Sequence, residues 1–387
     1  MSATAYSPWF RRLALIAATL ALVVIVFGAF VRLSNAGLSC PDWPTCYGKA
    51  SWPVHADEVA TANANFSRRL APDKAWREQV HRHLAATLGL LVLALTVVAT
   101  RRRARDWQIV LAAAVLVAAS IPLYMRTEYL AAAVLALAGE LLLLGTAWRL
   151  RAERGAAIAV LTLMVIVVQA LLGMWTVTWL LKPIVVMGHL LGGLATLCLL
   201  AWLALRSYGL SARAQESLPK LSWVKVGLGL LLIQIALGGW TSANYAAWSC
   251  GTDFPTCLGQ WWPASDFREG FVLWRGIGVD YEGGILDAEA RTAIQLAHRL
   301  FAVLASAWLL AIVVQLRRYR TLSGYSISLS VLLILQLLIG IANVKLGLPL
   351  VVAIAHNAGA ALLLLSVLAL LARMTPAEPN PPTLEKL

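Results

Sequence analysis

Ten apolar runs, each near the length that carries a helix across a hydrocarbon layer of about 30 Å, constrain this 387-residue chain more than any other feature. They cover approximately 11–33, 80–100, 107–125, 129–148, 157–180, 184–205, 223–244, 293–315, 325–345 and 349–372. Inside lipid no water is present to satisfy backbone polar groups, so such runs close their hydrogen bonds internally as helices. Charged residues make up only 13% of the chain, about half the share of a soluble domain, which excludes a water-soluble globule and a disordered chain. The expected fold is an all-α polytopic membrane protein.

The formal net charge of +13 resembles that of a nucleic-acid binder, but the basic residues cluster in short connections between runs. Arg101, Arg102, Arg103 and Arg105, then Arg149, Arg151 and Arg154, then Arg206, Arg213 and Lys220, then Arg317, Arg318 and Arg320 all fall on one side. By the positive-inside rule that side is cytoplasmic, and Arg11, Arg12 and Arg373 place both termini there. No nucleic-acid partner is expected, and the solvent is a lipid bilayer. The expected location is a bacterial inner membrane. The first run reads as an anchor, since its apolar stretch is too long for a cleaved signal and no small-residue cleavage site follows.

Two long loops, 34–79 and 245–292, lie on the opposite, periplasmic face and hold four of the five cysteines. In an oxidising compartment Cys40 with Cys46 and Cys250 with Cys257 are expected to form local disulfides. A thiol pair that cycles during turnover and a metal pair are the other readings, and the metal pair lacks further ligands at a familiar spacing. Cys198 lies inside a run and reads as a small apolar residue.

The chain repeats itself. Cys40-Pro41-Asp42-Trp43-Pro44-Thr45-Cys46 is echoed by Cys250-Gly251-Thr252-Asp253-Phe254-Pro255-Thr256-Cys257, 211 positions later at its second cysteine. Glu78-Gln79-Val80-His81-Arg82 recurs as Gln295-Leu296-Ala297-His298-Arg299 at an offset of 217. Gln169-Ala170-Leu171-Leu172-Gly173 recurs as Gln336-Leu337-Leu338-Ile339-Gly340, and His189 as His356, both at 167. The fall from 217 to 167 means that about 50 residues, including two whole spans, are inserted in the first half. The expected architecture is therefore two pseudo-symmetric four-helix bundles plus an inserted hairpin. Residues 1–105 and 150–206 form the first unit, 106–149 the hairpin, 207–222 a linker, 223–372 the second unit and 373–387 a cytoplasmic tail. The halves are expected to be related by an axis along the membrane normal.

Four of the six histidines occupy repeated positions, each near the periplasmic end of a span: His81 and His189 in the first half, His298 and His356 in the second. A membrane histidine can be a structural hydrogen-bonder, but a duplicated pair points to ligation. Two imidazoles facing each other across a bundle suit the two axial positions of a low-spin haem iron. Zinc or copper asks for further ligands that neither half offers near its pair. Arg82 and Arg299 can hold haem propionates, or else snorkel to the interface. His83 and His55 read as non-ligands. Glu78, one turn before His81, becomes Gln295 in the second half, so a carboxylate stands beside one pair only. That asymmetry suggests chemistry in the first half, with a solvated N-terminal Glu as the plain alternative.

Together Cys40, Cys46, Glu78, His81, Arg82, His189, Cys250, Cys257, His298 and His356 make the chain resemble the haem A synthase family over nearly its full length. The resemblance implies oxidation of the C8 methyl of haem O to a formyl group, giving haem A for terminal oxidases. It implies that His81 and His189 flank the substrate haem, that Glu78 assists, and that His298 and His356 ligate a resident haem b. Partners implied are haem O synthase, cytochrome oxidase assembly factors and a second copy of the chain. The family pattern has eight spans, so the hairpin is a departure, and not all members carry the loop cysteines. A dihaem b-type electron-transfer protein and a haem carrier are the competing classes.

Overall fold

The fold was analysed in a computed structural model that describes residues 6–212 and 218–376. Arg213, part of the linker 207–222, and the tail beyond 376 lie outside the described residues. Ten helices are long and apolar enough to cross a membrane, and no strand occurs among the described residues. They are α1 (Pro8–Leu33), α3 (Pro72–Thr100), α4 (Ala104–Met125), α5 (Tyr129–Arg149), α6 (Arg154–Thr178), α7 (Pro183–Ser207), α8 (Leu221–Ala243), α10 (Ala288–Leu316), α11 (Ser323–Lys345) and α12 (Leu350–Met374). Two shorter helices, α2 (Ala56–Asn65) and α9 (Phe267–Gly270), lie in the long loops.

Local chemistry fixes the helix starts. Ser7 accepts a hydrogen bond from the Phe10 amide and Asp287 accepts one from Ala290, so each satisfies an amide that has no intrahelical partner. Proline opens α1, α3 and α7, where its missing N–H costs nothing. Both α3 and α10 begin earlier than the apolar runs at 80 and 293 predict. Their first two turns carry Asp73, Lys74, Arg77 and Glu289, Arg291. Hydropathy marks only the lipid-embedded part of a helix, and these polar turns extend beyond it toward the loops.

Packing repeats as the sequence does. In the first half α1 contacts α3, α3 contacts α6, α6 contacts α7 and α7 returns to α1. The ring α8, α10, α11, α12 closes identically in the second half. The halves meet through α1 with α12, α7 with α8, and α7 with α12, a set that is unchanged when the halves are exchanged. Buried Ala14, Ala17, Ala18 and Ala21 give α1 a face of small side chains, which lets helix backbones approach where lipid offers no hydrophobic drive to associate. Backbone details repeat as well. Asn35 and Tyr245, Tyr47 and Leu258, and Leu181 and Leu348 are matched pairs with positive φ, and Trp43-Pro44 and Phe254-Pro255 are both cis.

The inserted α4 and α5 pack on each other and reach the first bundle only through α3 and α6, away from the helices that join the halves. Asp106 and Arg149 pair at 2.9 Å at the hairpin's basic end. At its other end Tyr124 meets Trp43 of the cysteine loop edge-on, with ring centres 6.1 Å apart.

The two long loops tie the halves together in a way the repeat pattern does not reveal. Arg68 of the first loop pairs with Asp280 at 3.3 Å and Glu282 at 3.0 Å in the second. Tyr281, fully buried between them, donates its amide to the Leu180 carbonyl at the end of α6. At the opposite face Arg206 of α7 donates to the carbonyls of Ala372, Thr375 and Pro376 that follow or end α12.

Candidate functional site

Each half builds its site from two helices that carry histidine and two that receive it. His81 comes nine residues into α3, His298 ten into α10, and His189 and His356 six into α7 and α12. All four enter from the loop-bearing end. At ~1.5 Å per residue they lie roughly 9–15 Å along their helices. His81 and His189 belong to helices of the first four-helix ring, and His298 and His356 to helices of the second.

A glycine faces every one of these rings. A Cβ placed on Gly28 of α1 meets His81 Cε1 at 2.8 Å, one on Gly173 of α6 meets His189 at 3.2 Å, one on Gly238 of α8 meets His298 at 3.1 Å, and one on Gly340 of α11 meets His356 at 3.0 Å. The imidazoles therefore occupy notches that a larger residue fills. In the sequence Gly173 and Gly340 stand out only as part of a repeat, and Gly28 and Gly238 do not stand out at all. Nδ1 of His81, His189 and His356 is buried without a hydrogen-bond partner. His83 instead bonds the Ala50 carbonyl at 3.0 Å, and His55 sits at the N-cap of α2.

The cysteines are joined as Cys40–Cys46 and Cys250–Cys257, with Cα atoms 4.7 Å apart in each, and Cys198 is free. Each ring sits over its histidine helix. Arg82 reaches up from α3 and donates to the carbonyls of Cys40, Asp42 and Thr45 at 3.2, 2.7 and 2.6 Å. Asp42 closes the ring from inside, accepting from the Thr45 hydroxyl and from the amides of Tyr47 and Gly48.

Glu78 is buried beneath this loop. Its Oε1 accepts from Arg82 Nη2 at 2.6 Å, and its Oε2 accepts from the Cys40 amide at 2.9 Å and from the Ser39 hydroxyl at 3.4 Å. The second half keeps only part of the arrangement. Arg299 donates to the Thr256 carbonyl at 2.9 Å, matching Arg82 and Thr45, but its Nε and Nη2 are buried and unpartnered. Gln295 has no charge to offer them, and its own Oε1 is also unpartnered. The Glu78-to-Gln295 exchange thus frees an arginine as well as removing a carboxylate.

The whole chain matches one family in sequence. The model of the COX15-CtaA family, described as cytochrome oxidase assembly protein, matches residues 11–137 and 128–368. The chain belongs to that family. The Heme A synthase of Shewanella oneidensis is 37% identical to it over 93% of this chain and 94% of the relative. The Heme A synthases of Caulobacter vibrioides and Rhizorhabdus wittichii are 26% and 25% identical, each over at least 90% of both chains. The likeness therefore extends through both halves and both loops.

The donor set fits a haem better than a bare metal ion. Among the described residues no cluster of three or more His, Cys, Asp or Glu side chains could hold a metal. Two imidazoles per half with notched glycines opposite them fit bis-histidine ligation of a planar macrocycle. Around the first pair, Phe27 lies parallel to the His81 ring at 6.5 Å, and Phe30 and Trp76 extend that aromatic surface toward the loops. At the end of α6, buried Lys182 places Nζ 3.3 Å over the Trp274 ring, and loss of solvation holds its ammonium below the ordinary lysine range.

Proposed function

We propose that the chain is a haem A synthase of the bacterial inner membrane, with both termini cytoplasmic, and that it oxidises the C8 methyl of haem O to a formyl group. The observation that carries this reading is Glu78, a buried carboxylate held by three donors one turn from His81, where the second half has Gln295. Supporting it are membership of the family, the likeness of the chain to relatives named Heme A synthase, and the ordered histidine pairs.

In this reading His81 and His189 hold the substrate haem, and His298 and His356 hold a resident haem b that supplies one-electron redox chemistry beside it. The reaction is two successive two-electron hydroxylations of one methyl group, after which the gem-diol loses water to leave the aldehyde; written with water as the oxygen donor it is CH3 + H2O → CHO + 4 e⁻ + 4 H⁺, and the electrons leave to an external oxidant. Glu78 supplies a fixed negative charge that stabilises positive charge developing at the porphyrin edge, and a carboxylate oxygen that can take up a proton released there. Because Arg82, Cys40 and Ser39 orient it before substrate arrives, no reorganisation is needed during the reaction. Arg82 clamps the loop and Glu78 at the first haem, while Arg299, with two free buried N–H groups, is the better placed of the two to hold a propionate. The two disulfide loops cover their sites from the periplasmic side.

A dihaem relay across the membrane requires ligands at two depths, and all four histidines enter from one end. The test is Glu78→Gln in a strain making haem O. The variant is expected to keep its fold and its second-half low-spin haem while haem A formation collapses. Normal haem A levels in that variant refute the reading.

A further inference from the structure

The four helices that receive a histidine ring carry a shared pattern with one exception. Gln169 precedes Gly173, Gln234 precedes Gly238 and Gln336 precedes Gly340, each by four residues and so on the same helix face. On α1 the residue four before Gly28 is Val24, which is buried. The notch for His81 is therefore the only one of the four without a carboxamide.

Two of the three carboxamides, those of the second half, touch the rings. Gln234 Nε2 lies 3.1 Å from His298 Nδ1 and 3.2 Å from the His298 carbonyl, so it engages the ring and the backbone of the same residue. Gln336 repeats the backbone contact on His356 at 3.1 Å, but its ring contact, 3.4 Å, is to Nε2 and not Nδ1. His81 has no such contact, and its Nδ1, like those of His189 and His356, is buried without a partner, so His298 alone of the four has a glutamine on Nδ1. An imidazole that binds iron through Nε2 carries its proton on Nδ1 and needs an acceptor there. Gln234 can supply one if its amide turns Oε1, which is buried and unpartnered, onto Nδ1, a turn that gives up the hydrogen bond from Nε2 to the His298 carbonyl. Val24 cannot.

We infer that Gln234 is a positioning residue that fixes the His298 imidazole and makes the second-half haem a permanent tenant, whereas Val24 leaves His81 free to release its haem. This rests on the assignment of a substrate haem to the first half and a resident haem to the second. It accounts for a difference that substrate turnover demands: a haem that is converted must leave, and a haem that serves must stay. An acceptor on Nδ1 makes the ligand more basic, stabilises the ferric state and lowers the midpoint potential. Loss of such an outer partner commonly weakens metal binding by about 10–100-fold.

The experiment uses detergent-purified protein with its haems bound, and reads the midpoint potential of the second-half haem, its electron-paramagnetic-resonance g values and its transfer rate to apomyoglobin. Gln234→Val is expected to raise the potential and speed transfer by about 10-fold or more. Gln234→Glu keeps the side-chain shape and accepts more strongly, so it is expected to lower the potential. Val24→Gln is expected to slow loss of the first-half haem. His298→Ala run in parallel separates the two claims. If it removes the low-spin signal while both Gln234 variants leave potential, g values and transfer rate unchanged, the role of Gln234 is overturned and the haem assignment stands. If the signal survives His298→Ala, the assignment falls and the role of Gln234 with it. Should Gln234→Val fail to accumulate, an unshifted potential in Gln234→Glu is sufficient to overturn the proposal.

Discussion

Glu78 takes a 2.6 Å hydrogen bond from Arg82, one turn further along the same helix, and under the Cys40–Cys46 loop Glu78 is buried and Arg82 largely covered. Breaking a buried pair by removing one member strands the other charge, at a cost of about 3–5 kcal/mol. Arg82→Ala is therefore expected to destabilise the first half strongly and abolish haem A formation, whereas Arg299→Ala, which strands no carboxylate, is expected to cost far less stability. Thermal unfolding of both variants, followed by loss of helical signal, checks the contrast.

The loop above the site should depend on pH at one group. Glu58 accepts hydrogen bonds from Lys49 Nζ and from the amides of Val54 and His55, which lowers its pKa from an ordinary 4.5 to about 2. A carboxylate with a depressed folded pKa stabilises above its unfolded pKa and loses that contribution as pH falls through the folded one. Hydrogen exchange over residues 49–58, taken relative to the intrinsic rate at each pH, is expected to be flat above pH 5 and to rise between about pH 4 and pH 2. Glu58→Gln should exchange faster at neutral pH and show no such rise. A wild-type profile that starts to loosen near pH 6 contradicts this.

The glycine notches make a sharper prediction about the histidines. A Cβ at Gly28 comes within 2.8 Å of His81, and one at Gly238 within 3.1 Å of His298. Overpacking of this kind costs about 1–3 kcal/mol and moves the flexible partner. Gly28→Val is expected to lower first-half haem with the second intact, and Gly238→Val the reverse, read by haem content and the low-spin spectrum. Equal losses in both variants point to a general packing defect instead.

The hairpin should be dispensable to the second site. Its helices pack on α3 and α6, and Arg103 and Glu153, which flank it, already form an ion pair, so the chain can be rejoined there over a short distance. Removing 106–149 preserves span parity and is expected to leave both haems bound. The one contact it takes from the site is that of Tyr124 with Trp43. Loss of the first-half haem alone from a membrane-inserted deletion variant makes the hairpin part of the catalytic unit.

Much of this was legible in the sequence because membranes and duplication both write simple patterns. Apolar runs gave ten spans, and the offset change from 217 to 167 located α4 and α5 as the insertion. The helix starts were less legible, since Asp73 and Glu289 belong to turns outside lipid that hydropathy does not score. The repeat also brought out Glu78 against Gln295. It did not bring out what Glu78 touches, because the Cys40 amide and the Ser39 hydroxyl come from a loop whose path depends on the disulfide and on Asp42. The bridge from Arg68 to Asp280 and Glu282 was hidden for another reason: it joins the two halves and so has no repeated counterpart to reveal it.

The most direct measurement is the mass of the haems extracted from membranes that contain a haem O synthase, with and without this chain. The account expects haem A, with some hydroxylated haem O, only when the chain is present and Glu78 is intact. Recovery of haem B and unmodified haem O alone, from membranes in which the chain is inserted and both its histidine pairs carry haem, contradicts it.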